Sequence, residues 1–567
     1  MRRIISIAIA LYLLLVLIDR FLLIELLFRR VAIPFVFAIA AALACIGAGY
    51  LARRGGRDIA LNLVVGYPIF GTICFLVGLL HISTWTMVPI VGILGGVGLL
   101  CVAQALLPAH AAEGGGAPLV WIALALVGIA ALIAAQAPPS TLDELAYHLA
   151  VPWTWVKEGR AIDLPLNSHS YFPLGVESAD LPFLTILGTT GGIASHFLHL
   201  FAAIAVTVLL LRRTKECPIL TAAIVTTPAL ALTAGWSLVD WILLGVSFVL
   251  VDALENDDAP TVTAAIAAGL STKYTFIPIA LIALLVTRRF RGVLPGVAMG
   301  SVFFIRNLIL TGNPVAPFLT ALAPHVAHYR SGAFLSEYIF DGHFLDESFG
   351  VSLLMTCALG AGLLSWILIA AGAALFLLAP SARLLVPFFA IPAARALPPT
   401  RPLRALLAIG IALQLFLIAF FVDRTQTFAL VAGRMSDEQY LATVRPSTTT
   451  IAALDAVLLP NSRTLVIGLS ETFWFQHRVR GGGNFDGPRV SAYLEAGSVD
   501  ALYARLRHDG ITHVAVINLA LPTEVARKLE ERETTLSDAA KRTLAQTLDR
   551  YATTVTQHGS AALFALR

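Results

Sequence analysis

The chain has 567 residues, of which 58% are hydrophobic and only 13% charged, with a formal net charge of +4. A soluble chain of this length covers its apolar cores with about twice that share of charge, so the composition excludes a cytosolic enzyme and a disordered scaffold and points to a polytopic α-helical membrane protein. The weak, dispersed positive charge argues against nucleic acid as a partner. The cysteines (Cys45, Cys74, Cys101, Cys217 and Cys357) lie in or beside apolar stretches, with neither metal spacing nor a disulfide framework.

A spanning helix needs about 20 mostly apolar residues. That measure predicts spans at about 4–27, 31–52, 59–82, 87–107, 119–136, 190–211, 217–235, 238–254, 292–311, 351–379 and 405–422. The first begins Met-Arg-Arg with no small-residue cleavage site, and reads as a retained helix. Basic residues orient the chain, because cytoplasmic loops are enriched in Lys and Arg. Arg2 and Arg3, then Arg53, Arg54 and Arg57, then Arg212, Arg213 and Lys215 mark the cytoplasmic side. Residues 137–189 then lie outside, and Arg29 and Arg30 are a local exception in a short turn.

The loop 137–189 opens with Pro138-Pro139-Ser140-Thr141, a helix-start signal. Leu145, Leu149, Trp153 and Val156 then form one apolar stripe, which predicts a short helix over 142–157 lying on the membrane and kinked at Pro152. Thr141 and Glu144 fit a capping box, a structural role for Glu144. Asp143 is not needed for that box. On an α-helix it shares a side with Tyr147, and Glu144 shares the neighbouring side with His148. A carboxylate at the membrane surface accepts a proton from a hydroxyl or holds a divalent ion. His148 either assists or is a hydrogen-bonded surface residue. Further on, Asn167-Ser168-His169-Ser170-Tyr171-Phe172-Pro173-Leu174-Gly175-Val176-Glu177 is a turn re-entering the membrane, with groups that bond sugar hydroxyls and stack on a ring, or else anchor the loop at the interface.

The stretch 261–286 is interrupted by Ser271-Thr272-Lys273-Tyr274-Thr275. As one span it would put Arg288, Arg289 and Arg291 outside. As a re-entrant hairpin of two half-helices it keeps them cytoplasmic and lets Lys273 line a cavity, the alternative being a snorkelling Lys273 in one helix. The next span then runs outward to a second external loop, 312–350, and Arg383, Arg395, Arg401 and Arg404 fall on the cytoplasmic side. Arg306 lies in an apolar span, where a charge is costly and calls for a partner. A phosphate would serve, as would a carboxylate such as Asp240. Asn313 follows in Thr311-Gly312-Asn313-Pro314.

The composition changes at Asp423, and 423–567 reads as a water-soluble domain. Helical periodicity over 438–457, a short apolar strand at Thr464–Gly468, an amphipathic helix at 496–508, a second strand at His513–Ile517, a charged helical stretch at 523–550 and a terminal hairpin predict a small α/β layer. Gly481-Gly482-Gly483 follows no strand-and-helix pattern of a phosphate loop and reads as a flexible loop.

Together these segments resemble the GT-C class of membrane glycosyltransferases, in the bacterial branch related to protein O-mannosyltransferases and the lipid A aminoarabinose transferase. Asp143-Glu144 with Tyr147-His148 resembles the acidic signature of that class's first large external loop. Ser170–Gly175, Ser271–Thr275, the stretch from Arg306-Asn307 to Asn313-Pro314, Gly510–Val514 and the Ala-Leu-Phe-Ala-Leu near the end are similar to stretches of the same branch. The resemblance covers about 130 to 567. The span pattern and the change of composition give 1–136 as N-terminal transmembrane helices and 423–567 as an extracytoplasmic α/β domain, and the resemblance, from which 1–130 departs with about five spans ahead of the signature loop, implies 137–422 as a transmembrane catalytic core. It also implies transfer, with inversion, of a sugar from a polyprenyl-phosphate donor to an envelope acceptor (glycan, lipid or protein) outside the bacterial inner membrane. Asp143, with Glu144, would then be the base or would hold Mg or Mn. Tyr147, His148, His169, Tyr171, Lys273, Arg306 and Asn313 would bind substrate. The competing readings are a transporter or lipid flippase, and a non-catalytic envelope-assembly protein. No internal hydropathy repeat of the kind transporters carry is seen.

Overall fold

The computed structural model describes residues 31–106, 118–318, 350–378, 382–482, 486–517 and 536–567. The predicted span at 4–27, most of the loop 312–350, Gly483 and residues 523–535 lie outside them.

Four long apolar helices come first: α1 (Ile33–Ala52), α2 (Ile59–Leu80), α3 (Thr84–Leu106) and α4 (Pro118–Ala135). Asp58 caps α2, its side chain accepting the Leu61 N–H at 3.2 Å. Small residues let α1 and α3 touch through their backbones: a Cβ on Gly47 would lie 2.0 Å from the Leu94 carbonyl oxygen. Leu80, Trp85, Ile93 and Leu100 are left exposed on the outer faces, a surface that suits lipid rather than water.

The loop region carries α5 (Ala150–Glu158) and α6 (Leu181–Leu187), and α7 (Gly191–Arg213) re-enters the bundle. The predicted span 217–235 is broken. It forms α8 (Ile219–Val225) and α9 (Pro228–Ala231), because Pro228 has no N–H to continue α8. The next helix, α10 (Asp240–Glu255), has 16 residues, nearly all buried. Among the described residues, six helices are long and apolar enough to cross a membrane, or seven with one pair bent by 49°. Of the eleven predicted spans, 4–27 lies outside the described residues, seven correspond to these helices, 217–235 and 351–379 are broken, and 238–254 is the 16-residue α10.

The 261–286 stretch folds as two helices, α11 (Ala259–Leu270) and α12 (Phe276–Thr287). Each has 12 residues, about 18 Å of helix, short of the roughly 30 Å hydrocarbon core. The chain after α12 returns to the start of α11. Thr263 Oγ1 donates to the Gly292 carbonyl at 3.0 Å, and Arg289 donates to the Leu254 carbonyl at 2.7 Å. The bent pair α13 (Val293–Gly300) and α14 (Val302–Thr311) then runs back to the end of the bundle that holds the 137–189 loop.

The stretch 351–379 is also broken, into α15 (Val351–Cys357) and α16 (Gly362–Leu378), followed by α17 (Ala382–Ala394) and α18 (Arg401–Arg424). Gly360 bridges Ala396, and the Leu397 N–H donates to the Leu359 carbonyl at 3.2 Å. So α16 starts where α17 ends, and the two run antiparallel. This corrects the sidedness of Arg383. Arg395 pairs with Glu255 at one end of α10, whereas Arg383 lies beside Asp240 at the other end, with the 137–189 loop.

The C-terminal part carries a five-stranded sheet of order β2-β1-β3-β5-β4, formed by β1 (Arg463–Ile467), β2 (Arg478–Gly481), β3 (His513–Ile517), β4 (Ala552–His558) and β5 (Ala561–Leu566). β1 is parallel to both neighbours and the last two pairings are antiparallel. Strand alternation sends Leu465 and Ile467 to one apolar cluster and Val466 to another.

This domain docks on the 137–189 loop. The Thr472 and Phe473 N–H groups donate to the Leu145 carbonyl (2.9 and 3.2 Å). Trp153 Nε1 and Lys157 Nζ donate to the Phe475 carbonyl (3.0 and 2.8 Å), and the Ser168 N–H donates to Asp486 Oδ2 (2.9 Å). The helix expected on the membrane surface is instead sandwiched: Leu145, Leu149 and Trp153 pack with Leu184 and Phe473. Burial and the neighbouring Arg480 draw the Lys157 ammonium down to about 7, against the pull of Asp455 and Glu158.

Candidate active site

The loop enters the site through Ser140 and Thr141. Their N–H groups donate to Glu144 Oε2 (3.2 and 3.0 Å), and the Glu144 N–H lies 3.4 Å from Thr141 Oγ1, the reciprocal bonding of a capping box. Glu144 Oε1 accepts from the Ser237 N–H at 2.7 Å and lies 2.7 Å from His196 Nε2. Burial raises the Glu144 carboxyl, but His196 and these donors outweigh it and hold it at about 2. Both oxygens are therefore engaged inside the fold, by the Ser140, Thr141 and Ser237 N–H groups and by His196.

Residues 144–148 form a π-helix, closed by the Leu149 N–H on the Glu144 carbonyl at 3.0 Å. Its i→i+5 bonds bring residues five apart over one another. Asp143 and His148 therefore come to one side, and the charge of each acts on the other. An α-helix would have separated them.

Asp143 is hydrogen-bonded to Arg383, whose Nε lies 3.7 Å from Asp240 Oδ2. Burial raises the Asp143 carboxyl, but the charges of Arg383, His148 and Lys273 outweigh it and hold it below the usual carboxylate range. Lys273, at the tip of the α11–α12 hairpin, feels the charges of Asp240, Arg383, Asp143 and Glu177. Behind this group, Tyr147 is tilted against the His148 ring (centroids 4.0 Å apart) and stacked on His169 (4.5 Å).

The other expected site residues lie further along the loop and at α14. Arg306 is buried, donates to the Ser170 carbonyl at 2.6 Å and lies over the rings of Phe75, Trp155 and Tyr171. Asp240 is not its partner; Nη1 is held by the Ser170 carbonyl, while the buried Nη2 has no hydrogen-bond partner among the described residues. Tyr171 donates its hydroxyl to Asp163 at 2.8 Å. Asn313 closes its own turn, donating to the Phe318 carbonyl and accepting from the Val315 N–H. Arg306, with Asn307 donating to the Tyr171 carbonyl at 2.6 Å, pins the loop to α14. Two glycines help seat it: a Cβ on Gly71 would lie 1.7 Å from the Gly175 carbonyl oxygen, and the Gly175 N–H donates to the Ser271 carbonyl at 2.8 Å.

Sequence reasoning missed Arg383 and Glu177, and named Asp240 only for a different partner. The available signal was a lone charge inside an otherwise apolar segment, at Arg383 as at Asp240. Arg383 also bears on the metal expectation. Among the described residues no three His, Cys, Asp or Glu side chains gather to hold an ion. The donor set around Asp143 does not fit one either, because the guanidinium bridges Asp143 and Asp240 where a cation would bind.

Arg383 lines a cavity of about 270 Å³. The bundle contributes Leu232, Trp236 and Phe421, the loop Ser140 and Thr141, and the C-terminal part Tyr440 and Arg445. It is apolar on the bundle side and cationic where the three parts meet.

No family model matches the chain, and no curated protein does. Among solved structures, the chain is similar to ArnT from Cupriavidus metallidurans bound to undecaprenyl phosphate. The identity is 14% and the TM-score 0.43, over 79% of this chain and 97% of that chain.

Proposed function

We propose that the protein is a GT-C-type glycosyltransferase of the bacterial inner membrane. It moves a sugar from a polyprenyl-phosphate donor to an envelope acceptor on the extracytoplasmic side, with inversion. The observation that carries this reading is the Asp143–Arg383–Asp240 group beside a cavity that is apolar toward the bundle and cationic at its mouth. A prenyl chain suits Leu232, Trp236 and Phe421, and a phosphate suits Arg383, with Lys273 and Arg445 nearby. The reaction then proceeds as partner exchange. The leaving phosphate takes the charge of Arg383 as its own charge develops. Asp143, released from the guanidinium, draws the proton from the acceptor hydroxyl, which attacks the anomeric carbon. Arg383 supplies the positive charge of this step, so the reading includes no resident metal.

The test uses the purified full chain in nanodiscs with radiolabelled undecaprenyl-phosphate hexoses. Label should leave the lipid in the wild type. Asp143→Asn at matched protein level should lower that rate about 10²-fold, the lower end of general-base contributions. Label that crosses the bilayer still attached to lipid would indicate a flippase instead. Unchanged transfer in Asp143→Asn would remove the proposed base.

A further inference from the structure

The transferase reading places a lipid phosphate in the cavity beside Arg383 and leaves open what holds it before the reaction. Arg383 is poorly placed to do so alone. It is hydrogen-bonded to Asp143 and lies 3.7 Å from Asp240. Two carboxylates repel an arriving phosphate while the guanidinium attracts it.

The same cavity has a second cation, Arg445, supplied by the C-terminal part. It follows the short helix Asp437–Val444, whose Tyr440 and Val444, four residues apart on one face, line the cavity with it. Two corners of its guanidinium are tied down. Nε donates to the Ser140 carbonyl at 2.5 Å, and Nη1 donates to Glu471 Oε1 at 3.2 Å. Among the described residues Nη2 has no hydrogen-bond partner, and the side chain keeps 29% of its surface exposed. Its counter-ion lies behind it: Glu471 is 6% exposed, also accepts from Ser447 Oγ, and is outside the cavity lining. No carboxylate of this pair therefore faces the space that the guanidinium faces.

The height of the cavity fits a lipid headgroup. Phe421 is in the last turn of α18 and Thr425 follows its end, and both line the cavity. The apolar wall of Leu232, Trp236 and Phe421 thus gives way to Arg445 and the hydroxyls of Ser140 and Tyr440, 3.2 Å apart, where a spanning helix ends. That is the level at which a membrane lipid carries its phosphate and at which Trp is enriched.

We propose that Arg445 is the resting contact of the prenyl-lipid phosphate, so that the C-terminal part supplies a cation that binds the donor and Arg383 receives the phosphate only as it leaves. The proposal deepens the transferase reading and rests on its placing the lipid in this cavity. A guanidinium suits the task because its planar N–H groups meet phosphate oxygens in charge-assisted hydrogen bonds. Binding on Arg445 leaves the Asp143–Arg383 contact intact until the leaving phosphate draws on it. It also makes donor binding depend on the docked C-terminal part, because the Arg445 fork is held between Glu471 of that part and Ser140 of the loop.

The test measures binding of radiolabelled undecaprenyl phosphate, without a sugar, to the full chain in nanodiscs. Unlabelled undecaprenyl phosphate should displace the label, whereas undecaprenol and inorganic phosphate at equal concentration should not. Arg445→Gln should weaken binding about 10-fold or more, as expected for one lost hydrogen bond to a charged group. Arg445→Lys keeps the charge without the fork and should weaken it about threefold. Glu471→Gln loosens the anchor but leaves the guanidinium in the cavity, so its affinity should stay within about twofold of the wild type. Wild-type affinity in either Arg445 variant overturns the proposal. An equal loss in Glu471→Gln and Arg445→Gln also overturns it, by marking Arg445 as a tie between loop and domain. Displacement by undecaprenol removes the phosphate contact, and displacement by inorganic phosphate removes the lipid assignment. The transferase reading fails by a different result, label that never leaves undecaprenyl-phosphate hexose, and the binding data would still decide the role of Arg445.

Discussion

Arg383→Ala probes the centre of the site. The substitution removes the hydrogen bond to Asp143 and the 3.7 Å ion pair with Asp240, and it leaves two carboxylates facing each other across the space. Removing one member of a fully buried pair costs about 3–5 kcal/mol. The Arg383 and Asp143 side chains keep 18% and 24% of their surface exposed, so solvent screens part of the charge, and the expected loss is about 2–3 kcal/mol. Adding Asp143→Asn to Arg383→Ala removes one stranded charge and should recover about 1 kcal/mol of that loss. The assay is equilibrium unfolding in mixed micelles for the wild type, both single variants and the double variant. The pairing argument is refuted if Arg383→Ala is as stable as the wild type, or if the double variant loses the sum of the two single effects.

Three further outcomes are expected. Glu144 is held at about 2 against an ordinary 4.5, so its stabilisation is fully present above about pH 4.5 and is lost as the pH falls through about 2; the unfolding midpoint of Glu144→Gln should be lower near neutrality and flatter across that window. Arg306→Ala should destabilise by about 2 kcal/mol through its lost bond to Ser170 while leaving donor KM unchanged, which a paired unfolding and kinetic measurement checks. Cysteines at Arg160 and Ser537 should react with an impermeant maleimide from one face of the membrane and a cysteine at Thr400 from the other; labelling of all three from one face would break the assigned orientation.

The part of the site that lies within one loop was legible, because Asp143, Tyr147 and His148 are close in sequence and a capping box explains Glu144 separately. The hairpin tip with Lys273 was legible from charge balance, since Arg288 and Arg289 need the chain to return. What failed was counting charge by position alone. Arg383 looks like a loop arginine until the break at Gly360-Ala361-Gly362 is given weight, because that break turns α16 round and adds α17 as a return helix, while α18 keeps its direction. The π-helix has no sequence signature, so the helical wheel separated Asp143 from His148. The surroundings of Arg306 were not legible for a physical reason: a guanidinium can be met in part by a carbonyl and aromatic faces, which leave no mark in a charge pattern.

The docking of the C-terminal domain on the loop has a consequence for biogenesis. Leu145, Trp153 and Ser168 are held by Thr472, Phe475 and Asp486, partners more than 300 residues downstream. The helices that flank the loop enter the bilayer early in synthesis, yet the loop cannot take up its final geometry until the last portion of the chain has been made and brought to the same side. A nascent chain is therefore anchored but without its final loop geometry for most of its synthesis. Truncations near the C-terminus should yield stable, inserted protein with a disordered 137–189 loop.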